Sequence, residues 1–409
     1  MLNYIFRRLL LMLPTLLGIT LVVFFTMALS PGGITAQSMV DDFGMNPQEK
    51  KALEDYYNRR YGLDQPAPLQ YLRWLNSVSP IGFEADDSGE LSRFSFTKGS
   101  DLGESFRYGR PVWDLLKERV PITLLLNVLS LPLIYFISIT VGVRAATDRG
   151  GRFDVSSSVV MLGLWSVPTM LTGVLLIGFF ASDQYWHWFP TNGLSSREAM
   201  DMPFMPHWHQ TLDVLKVLLT SVLGMAAGIA LTLGRLSPVL VGLVGLIAGG
   251  IGIAVGMSWG DGGFVRGFLL DRGWHLVLPI LCLSYGSFAF LARLTRSAVL
   301  ENLQADYART ARAKGVPESA VLWSHVFRNS LLPLITVFAA LLPGLLAGSV
   351  IVESIFSIDG MGKLAIEAVK GRDRELVLSI TLISGILTLV GYLLADLMYA
   401  IADPRVSYE

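Results

Sequence analysis

Long runs without charged side chains alternate with polar segments along this chain of 409 residues. A transmembrane helix needs roughly 20 apolar residues. Six runs reach that length, at residues 9–29, 123–143, 155–181, 236–259, 330–352 and 376–395, and two shorter ones, 217–233 and 276–292, come close to it. The pattern predicts an all-α polytopic membrane protein with eight transmembrane helices.

Composition argues against several other classes of protein. Only 16% of the residues are charged, whereas a soluble globular domain carries about 25%. The net charge of −1 argues against a nucleic-acid partner, because such binding rests on a basic excess. The one cysteine, Cys282, lies in an apolar run, so we interpret it as a packing residue.

Basic residues near the ends of the runs predict the orientation in the membrane. Arg7 and Arg8 precede the first run, and Arg144, Arg149 and Arg152 lie in the next inner loop, so the positive-inside rule places the N-terminus in the cytoplasm. Eight crossings then return the C-terminus to the cytoplasm. The first run could instead be a cleaved secretory signal; we favour a retained helix because the run is longer than a signal's apolar core.

The long polar region after the first run, residues 31–119, lies outside the cell in this topology. Its charge is mixed, and a group of aromatic residues is available for a small core: Tyr56, Tyr57, Tyr61, Tyr71 and Trp74. We expect this region to be folded and to face water.

A second polar segment, DYARTARAKGVPESAVLWSHVFRNSLLP at residues 306–333, separates two strongly apolar runs. Good helix formers fill residues 301–314, and spacings of three and four predict one face that carries Ala305, Ala308, Arg309 and Arg312. Gly315 suits a left-handed helix end, and Pro317 suits the first turn of a second helix. We expect two short helices joined by a bend, on which alanines permit close approach of another protein and arginines bind its carboxylates.

This segment resembles the EAA loop of ABC-importer permeases, in particular the B-type permeases of dipeptide and oligopeptide importers and their Yej-type branch. Arg309-Thr310-Ala311 occupies the EAA positions and Gly315 follows after three residues, although the glutamate of the general motif is missing. Further similar segments cover nearly the whole chain: YIFRRLLLMLPTLLGITLVVFF, DLGESFRYGRPVWDLLKERVPITL, GGRFDVSS, SVPTMLTGVLLI, ARLTRSAVLENLQADYARTARAKG, VESIFSIDGMGKL and DLMYAIADPR.

The resemblance implies a type I ABC importer permease in the bacterial inner membrane. Two permeases line a pathway through the lipid bilayer, two cytoplasmic ATPase domains bind ATP and Mg, and a periplasmic binding protein delivers the peptide. This chain would therefore be non-catalytic and hold no cofactor. The ATPase contact would be the coupling segment, formed by Asp306, Tyr307, Ala308, Arg309, Thr310, Ala311, Arg312, Ala313, Lys314, Gly315 and Val316; Asp359, Gly360 and Gly362 would form a periplasmic gate or partner contact.

Six core helices are implied, so the two extra runs between Gly193 and Trp274 form an insertion. The predicted domains are the first helix (1–30), a periplasmic region (31–119), core helices 2 and 3 (120–193), the insertion with two extra helices (194–274), and the remaining core helices (275–409) with the EAA loop at 299–328. Gly and Ala are abundant in the inserted runs, which favours a close peripheral hairpin that does not line the pathway.

Other chemistry is weakly supported by the sequence. No G-x-x-x-x-G-K-[ST] loop occurs, and DGMGKL lacks its first glycine and its hydroxyl residue. We do not interpret the pair His207 and His209 as a metal site, because no third ligand lies nearby. We interpret Asp396 as one half of a structural ion pair or as an acid solvated at the end of its helix, in preference to a functional intramembrane acid. A nickel or other metal chelate stays the alternative substrate; a secondary transporter, which needs midplane charges, and a membrane hydrolase are the rival classes.

Overall fold

The computed structural model describes residues 2–30, 46–85, 91–208, 211–232, 238–258 and 264–402. Its helices are α1 (Leu2–Ala28), α2 (Pro47–Tyr61), α3 (Ala67–Val78), α4 (Val112–Thr147), α5 (Arg152–Ser166), α6 (Thr169–Leu176), α7 (Thr211–Thr232), α8 (Pro238–Ser258), α9 (Gly267–Gln304), α10 (Asp306–Ala313), α11 (Glu318–Ala320), α12 (Arg328–Ile355), α13 (Met361–Lys370) and α14 (Arg374–Ala402). Short π-helical stretches, Ile177–Ala181 and Val321–Phe327, and a 3-10 turn, Glu198–Asp201, complete the helical elements of these residues. Two antiparallel strand pairs join β1 (Gly82–Ala85) to β2 (Leu91–Ser95) and β3 (His207–Trp208) to β4 (Phe264–Val265).

Within the described residues, six helices are long and apolar enough to cross a membrane: Ile5–Ala28, Val112–Thr147, Asp213–Thr232, Gly267–Gln304, Glu318–Phe338 and Arg374–Met398. The bent pair α5 and α6 makes a seventh if it is one span, and α8 contains the shorter apolar stretch Val244–Gly256. The mostly helical, multi-pass class is therefore confirmed, whereas the predicted number of eight is reached only by including both of these. Several helices extend beyond their apolar runs, most of all at two N-terminal ends. α4 begins at Val112, inside the region predicted as periplasmic, and α9 begins at Gly267.

The run at 155–181, which the sequence predicts as one crossing, is broken. α5 ends at Ser166, and α6 begins at Thr169 after a bend of 96°. Pro168 has no N–H to continue the helix and holds Val167 in an extended conformation. The Val167 carbonyl, freed by this break, accepts a hydrogen bond from the Tyr285 hydroxyl at 2.6 Å, so the backbone polar group is satisfied inside an apolar region.

The chain divides into two compact units, residues 1–178 with 279–409, and residues 179–278. In the first unit α1 and α12 both pack against α14. A buried core joins α4, α13 and α14 through Leu115, Leu116, Leu364, Leu376 and Ile380. These contacts tie the helix after the long polar region to the last two helices of the chain.

The aromatic core expected between residues 46 and 111 forms in part. Tyr71 and Trp74 are buried with Phe24 of α1, and Tyr57 and Tyr61 pack edge-on against Phe106. The fifth expected member is exposed: Tyr56 is 42% accessible. This small core rests on α1 and α14, so it is continuous with the helices of the first unit.

In the second unit α7 and α8 pack closely as an antiparallel pair, as the small residues predict. A Cβ at Gly224 would lie 2.4 Å from the Ala248 carbonyl oxygen, and one at Gly252 would lie 2.2 Å from that of Thr220. Only glycine permits backbones to approach this closely. The sequence also predicts a short inner turn at Gly234 and Arg235 between these two helices, and that turn lies outside the described residues.

Candidate functional site

The coupling segment is a short helix between two long ones. The predicted continuous helix over residues 301–314 is wrong, because α9 ends at Gln304 and Ala305 is extended, with φ −67° and ψ 151°. α10 then begins at Asp306, whose carboxylate favours a helix N-terminus. The break was invisible in the sequence because alanine is the best helix former, and tertiary packing overrides such a local preference.

The alanines of α10 face inward. Ala308 is 0% and Ala311 is 8% exposed, and both pack in a cluster with Val143, Val299 and Val326 from α4, α9 and the segment after Gly315. The predicted common face of alanines and arginines is therefore wrong. The small side chains allow close approach within this chain, and they hold α10 against its own helices.

The turn after α10 has the predicted left-handed glycine. Gly315 has φ 78°. Its N–H donates to the Arg312 carbonyl at 2.9 Å, and the Val316 N–H donates to the Ala311 carbonyl at 3.2 Å. This pair of bonds is the Schellman arrangement, which satisfies carbonyls at the end of a helix.

Arg312 closes this turn with its side chain. Its Nε and Nη2 donate to the two carboxylate oxygens of Glu318 at 3.0 and 2.7 Å, and its Nη1 donates to the Leu303 carbonyl at 3.1 Å. The guanidinium therefore connects the end of α9, the end of α10 and the start of the next helix. Its donors are used inside the chain, contrary to the expectation that Arg312 binds a partner's carboxylate.

The outward face of α10 consists of Tyr307, Arg309, Thr310, Ala313 and Lys314, all exposed. Arg309 is 71% exposed and reaches Asp306 only at 3.7 Å, a pair that contributes little in water. The Tyr307 hydroxyl donates to Asn302 of α9. This face offers an aromatic ring and two cations to a partner.

The second helix of the predicted pair is not short. Pro317 precedes it, and α11, the π-helical stretch and α12 follow one another without a break to Ile355. The π-helical stretch leaves Trp323 exposed against Phe327, with their rings 5.1 Å apart. The polar segment is therefore one short helix and a tight turn, after which the chain enters the next apolar span.

An ion pair that the sequence did not reveal ties α9 to the first turn of α5. Arg296 Nη2 donates to Asp154 Oδ2 at 2.7 Å, its Nε donates to Oδ1, and the Gly150 N–H donates to Oδ2 at 2.9 Å. Arg296 lies about two turns before the end of α9, so this bond fixes the helix that leads into α10. The sequence offered one signal for this pair: the acid lies in GGRFDVSS and the base lies in ARLTRSAVLENLQADYARTARAKG, both of which resemble segments of the permease family.

The second predicted site, around Asp359, is internally bonded. Asp359 pairs with Arg119 of α4 at 3.0 Å and with Lys363 at 2.8 Å. A Cβ at Gly360 would lie 2.4 Å from the Glu353 carboxylate, and one at Gly362 would lie 2.7 Å from the Val350 backbone. The two glycines allow α13 to lie close against the end of α12.

Glu353 is the residue that organises this site, and it was not singled out from the sequence. The side chain is fully buried and accepts hydrogen bonds from Thr123 Oγ1 at 2.8 Å and from the Lys363 N–H at 2.9 Å. The Met361 N–H donates to Thr123 Oγ1 at 2.8 Å. A buried carboxylate is tolerated because α13 offers it a helix N-terminus. α4, α12 and α13 thus meet at one buried acid.

Of the two structural interpretations of Asp396, the structure supports the ion pair. Its Oδ2 lies 2.7 Å from Arg8 Nη2, so an ion pair joins α14 to α1.

Comparison with known proteins defines the class of the chain. A family described as "Binding-protein-dependent transport system inner membrane component" matches residues 138–408, and its N-terminal companion matches residues 1–127. The chain belongs to this family, and it is an inner-membrane component of such a transport system.

Three relatives are similar over almost their whole length. The chain is 31% identical over 406 residues to the oligopeptide transport system permease protein AppB of Bacillus subtilis, covering 99% of each. It is 31% identical over 410 residues to the dipeptide transport system permease protein DppB of Escherichia coli, covering 100% of each. It is 29% identical over 423 residues to the peptidoglycan transport system permease protein YejB of Agrobacterium fabrum, covering 99% of this chain and 98% of the relative.

Proposed function

We propose that this chain is a permease subunit of an ATP-driven importer that carries di- and oligopeptides delivered by a periplasmic binding protein. It pairs with a second permease, and two cytoplasmic ATPase domains hydrolyse the ATP. The family match over nearly the whole chain carries this proposal. The peptide is supported by the names of the relatives, which transport dipeptides, oligopeptides and peptidoglycan material.

In the proposed topology both termini and α10 are cytoplasmic. Eight crossings are reached when the bent pair α5 and α6 and the helix α8 each count as one. The region between α1 and α4 and the turn at Asp359 then lie in the periplasm, and the hairpin of α7 and α8 is peripheral to the pathway. Arg7 and Arg8 at the first span support this orientation.

The ATPase contact is proposed for the outward face of α10, with Arg309 as its central residue. Arg309 is well exposed, and a guanidinium can bind a partner's carboxylate through two parallel hydrogen bonds. The inward alanines, Gly315 and the Arg312 pairing with Glu318 hold the helix in one position. A rigid α10 converts closure of the ATPases into displacement of α9 and α12.

The test is reconstitution of the complete complex in proteoliposomes with peptide uptake and ATP hydrolysis measured together. Uptake that needs ATP and the binding protein is expected, and uptake driven by a proton gradient alone would instead indicate a secondary transporter. Competition by a nickel chelate but not by di- or oligopeptides would transfer the proposal to metal import.

The contact face is tested separately with Arg309→Glu and the neighbouring Lys314→Glu. Reversal at Arg309 is expected to reduce association of the ATPases and to abolish most uptake, while reversal at Lys314, at the end of the helix, has a smaller effect. Equal and full activity of both variants would contradict the assigned face. Binding of peptide-loaded binding protein to the complex provides the control for a folded permease.

A further inference from the structure

Helix α3 has apolar side chains on both of its sides. Tyr71 and Trp74 are buried against α1, yet Leu69 and Leu72 on the other side are 49% and 56% exposed. The preceding helix α2 differs, because its exposed residues include Lys51, Asp55 and Arg59. A helix of a water-soluble domain turns its polar side to the solvent, so exposed apolar side chains on the outer side of α3 indicate contact with protein or lipid.

The hairpin after α3 extends this apolar surface. Phe83 and Phe94 are cross-strand partners, and Phe96 follows on the same side as Phe94, with ring centroids 5.3 and 5.2 Å apart in turn. The Asn76 side chain bonds both the N–H and the carbonyl of Phe83, at 2.8 and 2.9 Å, and thereby fixes the hairpin to α3. We name the exposed apolar surface the leucine-phenylalanine face; its members are Leu69, Leu72, Ile81, Phe83, Phe94 and Phe96.

The bonds of Tyr71 set the level of α3 along α1. Its hydroxyl lies 3.1 Å from the Leu17 carbonyl oxygen and 3.0 Å from Thr20 Oγ1, and its ring packs on Phe24 at 5.4 Å. Leu17, Thr20 and Phe24 lie about 16, 12 and 6 Å before the end of the apolar span Ile5–Ala28, at 1.5 Å per residue. α3 therefore lies beside the C-terminal half of the apolar span of α1.

α1 is itself uncovered at this level, since Leu21 and Val22 are exposed within its membrane span. The leucine-phenylalanine face is thus formed in part by a helix, α3, that lies at the same depth in the membrane as the exposed part of α1, which meets lipid. A groove of about 570 Å³ runs through it, with Leu69, Leu72 and Phe83 as apolar lining and Gln65, Arg73 and Asn76 as polar lining.

We propose that the leucine-phenylalanine face is a membrane anchor, embedded in the interfacial layer of the leaflet at which α1 ends. Acyl chains cover the leucines and phenylalanines, and lipid headgroups meet the polar lining with its Arg73 guanidinium. Aromatic residues and amphipathic elements with a basic edge occupy this layer in membrane proteins. The proposal depends on α1 crossing the membrane and is independent of the transported substrate.

The consequence for the molecule is that the region between α1 and α4 is not a freely tumbling outer domain. Its inner side rests on α1 and α14, and one outer side rests on lipid. The charged surface of α2 stays in water.

The experiment uses single cysteines in a Cys282→Ala background, which removes the one native thiol. The whole complex is placed in lipid nanodiscs of phosphatidylethanolamine and phosphatidylglycerol. The test positions are Leu72→Cys and Phe94→Cys. Val22→Cys is the lipid reference and Asp55→Cys the water reference, and Arg93→Cys is a matched control, because adjacent residues of a strand point to opposite sides.

Two measurements are made on each variant. Alkylation by a charged maleimide requires the thiolate, and each unit by which an apolar surrounding raises a thiol pKa lowers the thiolate fraction about tenfold. Quenching of an attached fluorophore by nitroxide-bearing lipid reports direct contact with the bilayer. Thiols at positions 72 and 94 are expected to be alkylated at least about tenfold more slowly than thiols at positions 55 and 93. Fluorophores at positions 72 and 94 are expected to be quenched by the nitroxide lipid as strongly as a fluorophore at position 22.

Fast alkylation at positions 72 and 94, as in water, would overturn the proposal. Slow alkylation without quenching by lipid would overturn it as well, since it would show that another protein subunit covers this face. Protection that appears only on addition of the binding protein would assign the face to that partner. Assembly of each variant with the ATPases, checked by size-exclusion chromatography, ensures that a folded complex is compared.

Discussion

Replacement of Gly315 by valine tests whether the shape of the α10 turn carries coupling. A Cβ at this position would meet nothing within 4 Å, so the substitution introduces no collision with other parts of the chain. The cost comes from the backbone: at φ 78° a residue other than glycine pays roughly 1–2 kcal/mol, and a β-branched one more. A cost of this size lowers the ratio of native to non-native turn by about 5- to 30-fold.

The variants form a graded series. Asparagine tolerates the left-handed region best after glycine, alanine is intermediate and valine is worst. The number of ATP molecules hydrolysed per peptide imported is therefore expected to rise in the order Gly315→Asn, Gly315→Ala, Gly315→Val, with the largest rise for valine, whose ratio of native to non-native turn falls at least about fivefold. All three complexes should assemble, because α10 keeps its buried alanines.

The measurement is peptide uptake and ATP hydrolysis in the same proteoliposomes. Full coupling in the valine variant would refute the reasoning, and so would equal loss in the asparagine and valine variants. The second result would mean that glycine is needed for close contact with a partner, and not for its backbone angle.

Three further outcomes are expected. Arg312→Met should change global stability little, because its ion pair with Glu318 is exposed, but it should loosen α10, and Glu318→Gln should do the same. The measurement is limited proteolysis, which should cut faster after residue 304 in both variants. Unchanged protection in both would contradict the role of the Arg312–Glu318 pair. Glu353→Gln should lower the stability of the purified complex by about 1–3 kcal/mol, because a donor amide replaces a buried acceptor, and a thermal unfolding curve identical to the parent would be the opposing result. Replacing residues 211–261 by a short hydrophilic loop should preserve peptide-stimulated ATP hydrolysis; its loss in an assembled complex would place the α7 and α8 hairpin in the mechanism.

The features that the sequence predicted well are those with one dominant physical cause. Apolar length indicates a membrane helix because no soluble alternative tolerates it, and Gly315 indicates a left-handed turn because other residues avoid that conformation. An ion pair at Asp396 was one of two interpretations, because an acid in an apolar stretch needs a partner or water; its partner Arg8 was not predicted.

The errors occurred where two causes compete. At Ala305 the local preference for a helix competes with the packing of Ala308 in a cluster built from distant residues. The packing is stronger, so the helix breaks at Ala305. Packing of Ala308 and Ala311 inside the chain also decides which side of α10 faces outward. The helical spacing therefore placed Arg309 on the same face as the alanines incorrectly. At Pro168 the membrane environment tolerates a kink in some helices and a full break in others, depending on whether a donor such as the Tyr285 hydroxyl is available.

The pairing of Arg8 with Asp396 has a consequence for biogenesis. α1 packs against α14, and their ion pair joins residues that lie far apart in the sequence. Such contacts form late, because the intervening chain must be synthesised and inserted first. α7 and α8, adjacent in sequence, can close as soon as both have entered the membrane. A chain in which α14 has not yet been made therefore holds α1 by α3, through the contact of Tyr71 with Phe24, and lacks the packing that α14 adds.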